Sequence, residues 1–406
     1  MRDELGISLR QLRCRAELTQ EALAERSGVS VRTIRGLETG TRRNPRRSSL
    51  RQLAEALALT PSERELLLEP AEPRPAAGFR PVPQQLPPAP RGFVGRDSAL
   101  ADLSDDLLLV VGAGGIGKTA LAVHWAHRQL DRFPDGQLFV DLEGFSPGSS
   151  PLAPSTVVRG FLDALGVDRS RARSLADHTG LYRSVVADRR MLVVLDNAAS
   201  DGQVEPLLPG SPSCTTVITS RRSLPTLTTR YGAHQVPLTV LSRDDALALF
   251  MRRCGQSRLA AEPASVVREL VACCGGYPLA LATVASRVHQ HPDIPLAEFA
   301  AELQEVGLAA LDADDPSVSL PAVLSWSVRA LTGPQRRLFG QLGVAPDPDI
   351  RLPAAATLAG VSIPQARRML RELAEASLVT RGAGDRYSMH DLVRRYAAQT
   401  AATESA

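Results

Sequence analysis

The 406-residue chain is 44% hydrophobic and 22% charged, with a formal net charge of +3, a globular composition with room for two to four domains. Its apolar runs fall short of the roughly 18–20 residues that cross a bilayer, and Met1-Arg2-Asp3-Glu4 does not begin a charged-then-apolar leader, so the expectation is a cytoplasmic protein with no membrane partner. Five cysteines without zinc or redox spacing are expected to be reduced and metal-free, and of 47 basic residues only Lys118 is lysine.

Charge is unevenly placed. Residues 1–51 hold 12 arginines against 6 acids, a local +6 that suits an anionic partner. Residues 5–68 read as about five short helices. Leu9, Leu12 and Leu18 begin an apolar stripe, Thr19 caps a helix over Gln20–Ser27, Gly28 turns the chain, and Ser30 caps a second helix over Val31–Glu38. Leu23, Val29, Ile34 and Leu37 are expected inside, with small Ala24 allowing a close crossing and Leu50, Leu53 and Leu57 supplying another face. A short helix, a glycine turn and a second helix make a helix-turn-helix.

The stretch TQEALAERSGVSVRTIRGLETG resembles the Cro/repressor (XRE-type) helix-turn-helix family, and a domain is assigned to residues 1–68. The resemblance implies double-stranded DNA as partner, with the second helix in the major groove. Val31 and Arg32 would face bases, Arg32 bidentate to a guanine, while Gln20, Ser30 and Thr33 meet phosphates or base edges. Arg42, Arg43, Arg46 and Arg47 would grip phosphates, and Gly36 departs from the long side chain the family often has there. The alternative is a helical module that recruits a protein through a solvated arginine face.

Residues 69–92 carry eight prolines in 24 positions and predict an extended, semi-rigid tether. A nucleotide-binding domain is expected over 93–238. Leu107–Val111 suits a buried parallel strand, and it runs into Gly112-Ala-Gly-Gly-Ile-Gly-Lys-Thr119, the pattern G-x-x-x-x-G-K-[ST]. At this spacing glycines let backbone amides wrap phosphates, a helix N-terminus adds partial positive charge, Lys118 bridges the terminal phosphates and the Thr119 hydroxyl ligates magnesium. Gly112, Gly114, Gly115, Ile116, Gly117, Lys118, Thr119 and Ala120 are therefore assigned to ATP or ADP with Mg2+. Segments 137–142, 191–198 and 215–222 read as further strands of a parallel sheet between helices. Asp196 ends one as the magnesium-holding acid, and Arg221 ends another, placed to sense a γ-phosphate.

Beyond residue 238 the pattern turns helical. SRDDALALFMRRC, PASVVRELVACC and YPLALATVASRVHQ form a helical subdomain over 239–318, and 319–406 add helices, SIPQARRMLRELAEAS and a hairpin, LVTRGAGDRYSMH, in a winged-helix pattern. The order FVGR, GAGGIGKT, VVLDN, ITSRR, GGYPLAL and SMHD resembles the NB-ARC class of STAND signalling NTPases over roughly residues 93–402. That resemblance implies Val94 and Arg96 near adenine and ribose, Pro278 packed on adenine, and His390 on the ADP β-phosphate, holding the winged helix closed. On the residues alone, Arg96 also reads as a surface ion-pair residue, Pro278 as a first-turn helix proline and His390 as a helix cap. The family's second acid is replaced here by Asn197, whose amide cannot take a proton from water, so hydrolysis is expected to be slow.

The fold expected is thus multidomain: an all-α helix-turn-helix domain, then an α/β P-loop NTPase domain with a parallel sheet, a helical subdomain and a winged helix. The function expected is an ATP/ADP-switched transcriptional regulator, monomeric with ADP and homo-oligomeric with ATP. A signalling or defence NTPase that recruits a protein effector, and a winged helix that itself reads DNA, are the alternatives.

Overall fold

The computed structural model describes residues 4–16, 18–39, 47–57, 59, 82–145, 150–170, 172–260 and 262–404. The chain forms two compact units, Met1–Arg80 and Pro81–Ala406. No helix among the described residues is long and apolar enough to cross a membrane.

The first unit contains α1 (Glu4–Arg15), α2 (Gln20–Ser27), α3 (Val31–Glu38) and α4 (Arg47–Ala56); the fifth expected helix lies outside the described residues. Local chemistry sets these limits. The Thr19 hydroxyl accepts from the Ala22 amide and Ser30 from Thr33, so each helix opens on a side-chain cap. Gly28 closes α2 in the left-handed region at φ 68°, where a side chain would be strained. Leu9, Leu23, Ile34 and Leu53 are fully buried in one core with Val29 and Leu37.

The second unit is built on five parallel strands, β1 (Leu107–Val111), β2 (Gln137–Asp141), β3 (Leu192–Ala198), β4 (Thr215–Ser220) and β5 (His234–Pro237), in the order β2-β3-β4-β1-β5. Alternate residues of the central strands enter opposite cores. Leu108, Val110, Leu192 and Val194 pack to one side, and Leu109, Val111, Val193 and Leu195 to the other, which is why these strands read as unbroken apolar runs. The helix α5 (Lys118–Arg128) follows β1, while α6 (Pro154–Ala164) and α7 (Leu175–Val186) precede β3.

The helices α8 (Arg243–Cys254), α9 (Ala264–Cys273), α10 (Pro278–Gln290) and α11 (Leu296–Glu305) come next, then α12 (Leu320–Arg329), α13 (Gly333–Val344), α14 (Leu352–Ala359), α15 (Ile363–Glu375) and α16 (Asp391–Glu404). A small antiparallel sheet, order β6-β8-β7, joins β6 (Asp349–Arg351) to the expected hairpin, β7 (Thr380–Arg381) and β8 (Arg386–Ser388). The strands β5 and β6 and the helix α11 are elements that the sequence reading did not contain. One apolar core runs without a break from the sheet through Tyr277 and Leu281 to Leu338, Leu370 and Leu392.

The tether expectation over 69–92 needs correction. Residues 69–81 lie outside the described residues, but 83–85 pair along the outer edge of β2. The Gln137 amide donates to the Pro83 carbonyl at 2.7 Å, the Gln85 amide donates to the Gln137 carbonyl at 3.1 Å, and the Gln85 side-chain carbonyl takes the Phe139 amide at 3.4 Å. His127 Nε2 meets the Pro87 carbonyl at 2.8 Å. Proline density does dictate an extended chain, and an extended chain offering carbonyls is also what a sheet edge accepts.

Candidate functional site

The C-terminal ends of the parallel strands carry the polar residues, as expected of an open α/β sheet. There the P-loop opens a cavity of about 460 Å³, lined by Gly114, Gly115, Gly117, Lys118, Thr119 and Ala120 on one side and by Asp141, Asp196, Thr219 and Arg221 among others opposite. Gly115 (φ 76°) and Gly117 (φ 94°) take left-handed backbone, so the loop curls where side-chain-bearing residues resist. The α5 helix starts on Lys118, with its N-terminus at the cavity.

Lys118 Nζ donates to the carbonyls of Gly112 and Ala113, each at 2.9 Å. Burial pulls its pKa down to about 7; Arg221 adds to this and Asp196 opposes it. The Thr119 hydroxyl donates to Asp196 at 2.9 and 3.0 Å, and the Thr219 hydroxyl donates to Asp196 Oδ1 at 2.6 Å. Burial raises the Asp196 pKa, opposed by those two hydroxyls. A hydroxyl and a carboxylate in contact form a hard oxygen donor set that suits Mg2+, and the curled glycine loop suits a phosphate chain, so the residues fit the group the motif implies.

Arg221 lines the cavity but is held from behind. Its Nη1 donates to the Val323 carbonyl at 2.6 Å and to the Ser327 hydroxyl at 3.3 Å, both on α12. The guanidinium lies over Phe145 and Trp326, each ring centroid 5.2 Å away. Burial lowers its pKa to about 10, with Tyr277, Asp141 and Asp196 opposing. A Cβ on Gly114 would stand 2.7 Å from both Arg221 Nη1 and Val323 Cγ1, so only glycine lets the loop, the arginine and α12 meet.

A second, smaller cavity of about 80 Å³ adjoins, sharing Gly117, Ala120 and Pro278 with the first and lined also by Phe93, Val94, Arg96 and Ile116. Arg96 Nη2 donates to the Ile116 carbonyl at 3.1 Å, and burial lowers its pKa against the opposing pull of Asp245. Pro278 is the first residue of α10 and the wall between the two cavities. Val94, Arg96 and Pro278 therefore stand together beside the P-loop.

His390 does not join them. Its Nδ1 accepts the Leu392 amide at 3.2 Å, which leaves Nε2 to donate to the Gly275 carbonyl at 2.8 Å, and Tyr277 meets the ring edge-on at 5.1 Å. His390 lines neither cavity, because the turn between α9 and α10 takes its second nitrogen. The residues that the sequence reading passed over are Asp141, Phe145, Thr219, Val323 and Trp326. Asp141 ends a strand as Asp196 does, and that was the available signal.

In the first unit, Arg32 is exposed on α3 beside Thr33, with Arg35 exposed one turn later; Val31 is half-buried. Ser30 is occupied as the α3 cap, its hydroxyl 2.9 Å from that of Thr33. Gln20 is committed internally, donating to Glu38 at 2.7 Å and accepting from Arg35 at 3.3 Å. Glu38 in turn holds Arg13 bidentately at 2.6 and 3.0 Å, tying α1 to α3. Arg42, Arg43 and Arg46, and the Arg47 side chain, lie outside the described residues.

Comparison with known proteins agrees with this division. Residues 4–67 match the Helix-turn-helix domain family. The chain is 40% identical over 333 residues to Regulatory protein AfsR of Streptomyces coelicolor and 40% identical over 328 residues to that of Streptomyces griseus, covering 78% of this chain and 33% of the relative in both cases. The chain thus spans one third of the length of these relatives. A Walker-type ATPase of Pyrococcus abyssi superposes with a TM-score of 0.55 at 13% identity, over 77% of this chain and 98% of the other. A helix-turn-helix domain is followed here by a P-loop ATPase fold.

Proposed function

We propose that this chain is a DNA-binding transcriptional regulator switched by ATP and ADP, with an NB-ARC (STAND) architecture: residues 1–68 read DNA, 93–238 bind nucleotide, and 239–318 and 319–406 form the helical and winged-helix parts. The 40% identity to regulatory proteins supports the class. The switch rests on one observation, that Arg221 faces the P-loop cavity while it is hydrogen-bonded to the Val323 carbonyl of α12. A γ-phosphate would compete with that carbonyl for the same guanidinium, whereas ADP would leave the bond intact.

Lys118 and the P-loop amides would hold the phosphates, Thr119 and Asp196 the Mg2+, and Val94, Arg96 and Pro278 the base side. Bound Mg2+ supplies charge neutralisation at the phosphates. Asp196 enters that site as an ionised ligand, and Lys118 as an ammonium. Arg32, with Val31 and Thr33, would meet base edges. His390 serves the closed state by bonding Gly275 rather than a phosphate. Monomer with ADP and homo-oligomer with ATP complete the reading, since joined weak DNA-binding domains gain avidity.

The test uses a duplex enriched by the protein from a random-sequence pool, titrated with ADP-loaded and ATP-loaded full chain while mass is followed by light scattering. ATP should tighten DNA binding and raise the mass, and DNA should tighten ATP binding by the same factor. Equal DNA affinities in the two states would remove the switch.

A further inference from the structure

We propose that Asp141, at the end of β2, is the carboxylate that takes the proton from the attacking water when bound ATP is hydrolysed; this deepens the nucleotide reading above and rests on it. Two carboxylates line the phosphate cavity among the described residues, Asp196 and Asp141. Asp196 is spoken for by the Thr119 and Thr219 hydroxyls, the place where magnesium would sit. The residue after it is an amide, yet that amide reaches across to the neighbouring strand.

The geometry of this reach is specific. Asp141 and Asp196 are register partners on β2 and β3. After Asp196 the chain turns left-handed at Asn197, φ 57°, and the β3–β4 register slips between Leu195 and Ala198. Asparagine tolerates that conformation better than most residues. Its backbone N–H donates to the Thr219 hydroxyl at 2.9 Å, and its side-chain Nδ2 donates to Asp141 Oδ1 at 3.2 Å. The Glu143 amide donates to the same oxygen at 2.8 Å. Oδ2 makes no hydrogen bond among the described residues.

The turn that carries Asp141 is pinned to β3 as well. The Gly144 amide donates to the Asn197 carbonyl at 2.8 Å, and a Cβ on Gly144 would stand 2.4 Å from that oxygen, so a glycine is required at this approach. One carboxylate oxygen is therefore fixed and the other is left for a water. As the water oxygen bonds to the γ-phosphorus, Asp141 accepts its proton. The bond from that phosphorus to the β–γ bridging oxygen breaks, its electron pair stays with ADP, and the proton leaves later with phosphate or solvent.

The experiment compares full-length wild type with Asp141→Asn and Asp141→Glu. Single-turnover hydrolysis of radiolabelled ATP is read beside equilibrium binding of ADP and of a non-hydrolysable ATP analogue, and beside the nucleotide released from purified protein. Asp141→Asn should slow hydrolysis by about a hundredfold, hold both affinities within about twofold, and purify with ATP where wild type carries ADP. Asp141→Glu should recover part of the rate. Hydrolysis by Asp141→Asn within about threefold of wild type overturns the assignment. A wild type that binds ATP without hydrolysing it overturns it too, while leaving the switch standing, and a wild type that binds no nucleotide overturns both.

Discussion

A primary ammonium can turn in a space that a planar fork cannot. Lys118 Nζ reaches two successive carbonyls, Gly112 and Ala113, from a buried position under the loop. Elsewhere in the chain every cation is arginine, so the one exception marks a place where size decides. Lys118→Arg should weaken ADP binding by about 1.5–3 kcal/mol, roughly ten- to a hundredfold, measured by calorimetry. Wild type should also show a proton linkage. With the free amine pulled down to about 7, it is largely neutral at pH 8, and bound phosphates require the ammonium, so binding takes up a proton. Affinity should fall by up to about tenfold per pH unit above 7; a flat profile from pH 6.5 to 9 would contradict this. That Lys118, Thr119 and Asp196 share one cavity was legible because motif spacing and strand ends are local. Asp141 was only half legible, in its strand end; its bond to Asn197 comes from a residue 56 positions away, brought alongside by strand pairing.

At the scale of single elements, α2 and α3 were readable to the residue because a cap, an apolar stripe and a glycine turn all act within a few positions. The ion pair that locks α3 to α1 was not. Glu38 has a side chain only 3% exposed and takes hydrogen bonds from Arg13 and Gln20. Burial alone would raise its pKa, but the bonds from Arg13 and Gln20 outweigh it and the net shift is downward. A lowered folded-state value means that the pair stabilises fully above the unfolded glutamate value of about 4.3, and that this contribution is lost as pH falls through the folded one. Glu38→Ala, which leaves Arg13 without its partner, should cost about 2–3 kcal/mol. Hydrogen exchange of α1 and α3 amides in the full chain reads this directly, and unchanged protection at neutral pH would refute it.

For the second unit as a whole, sequence motifs ordered the parts but did not show that they share one core, because apolar periodicity reports burial without naming the partner. Its consequence is mechanical. Arg221 sits between Phe145, in the turn after β2, and Trp326 on α12, so the nucleotide cavity and the C-terminal helices close on one cation. A desolvated cation–π contact is worth up to about 2 kcal/mol. Trp326→Ala should therefore speed release of a fluorescent ADP analogue by about tenfold in stopped flow. A release rate equal to wild type would put the restraint elsewhere.

The proline-bearing stretch against β2 has a further effect, on how copies of this chain meet. Pro83 and Gln85 occupy the outward hydrogen-bonding groups of Gln137, and the Gln85 side chain covers Phe139. Prolines 87, 88 and 90 lie farther along the segment and have no N–H to offer. A strand from another molecule finds no open row to extend on this side, so sheets cannot fuse across it. On this side of the sheet, contact between copies is left to helix faces and loops. Covering this edge removes one route by which copies could add strand to strand into fibres.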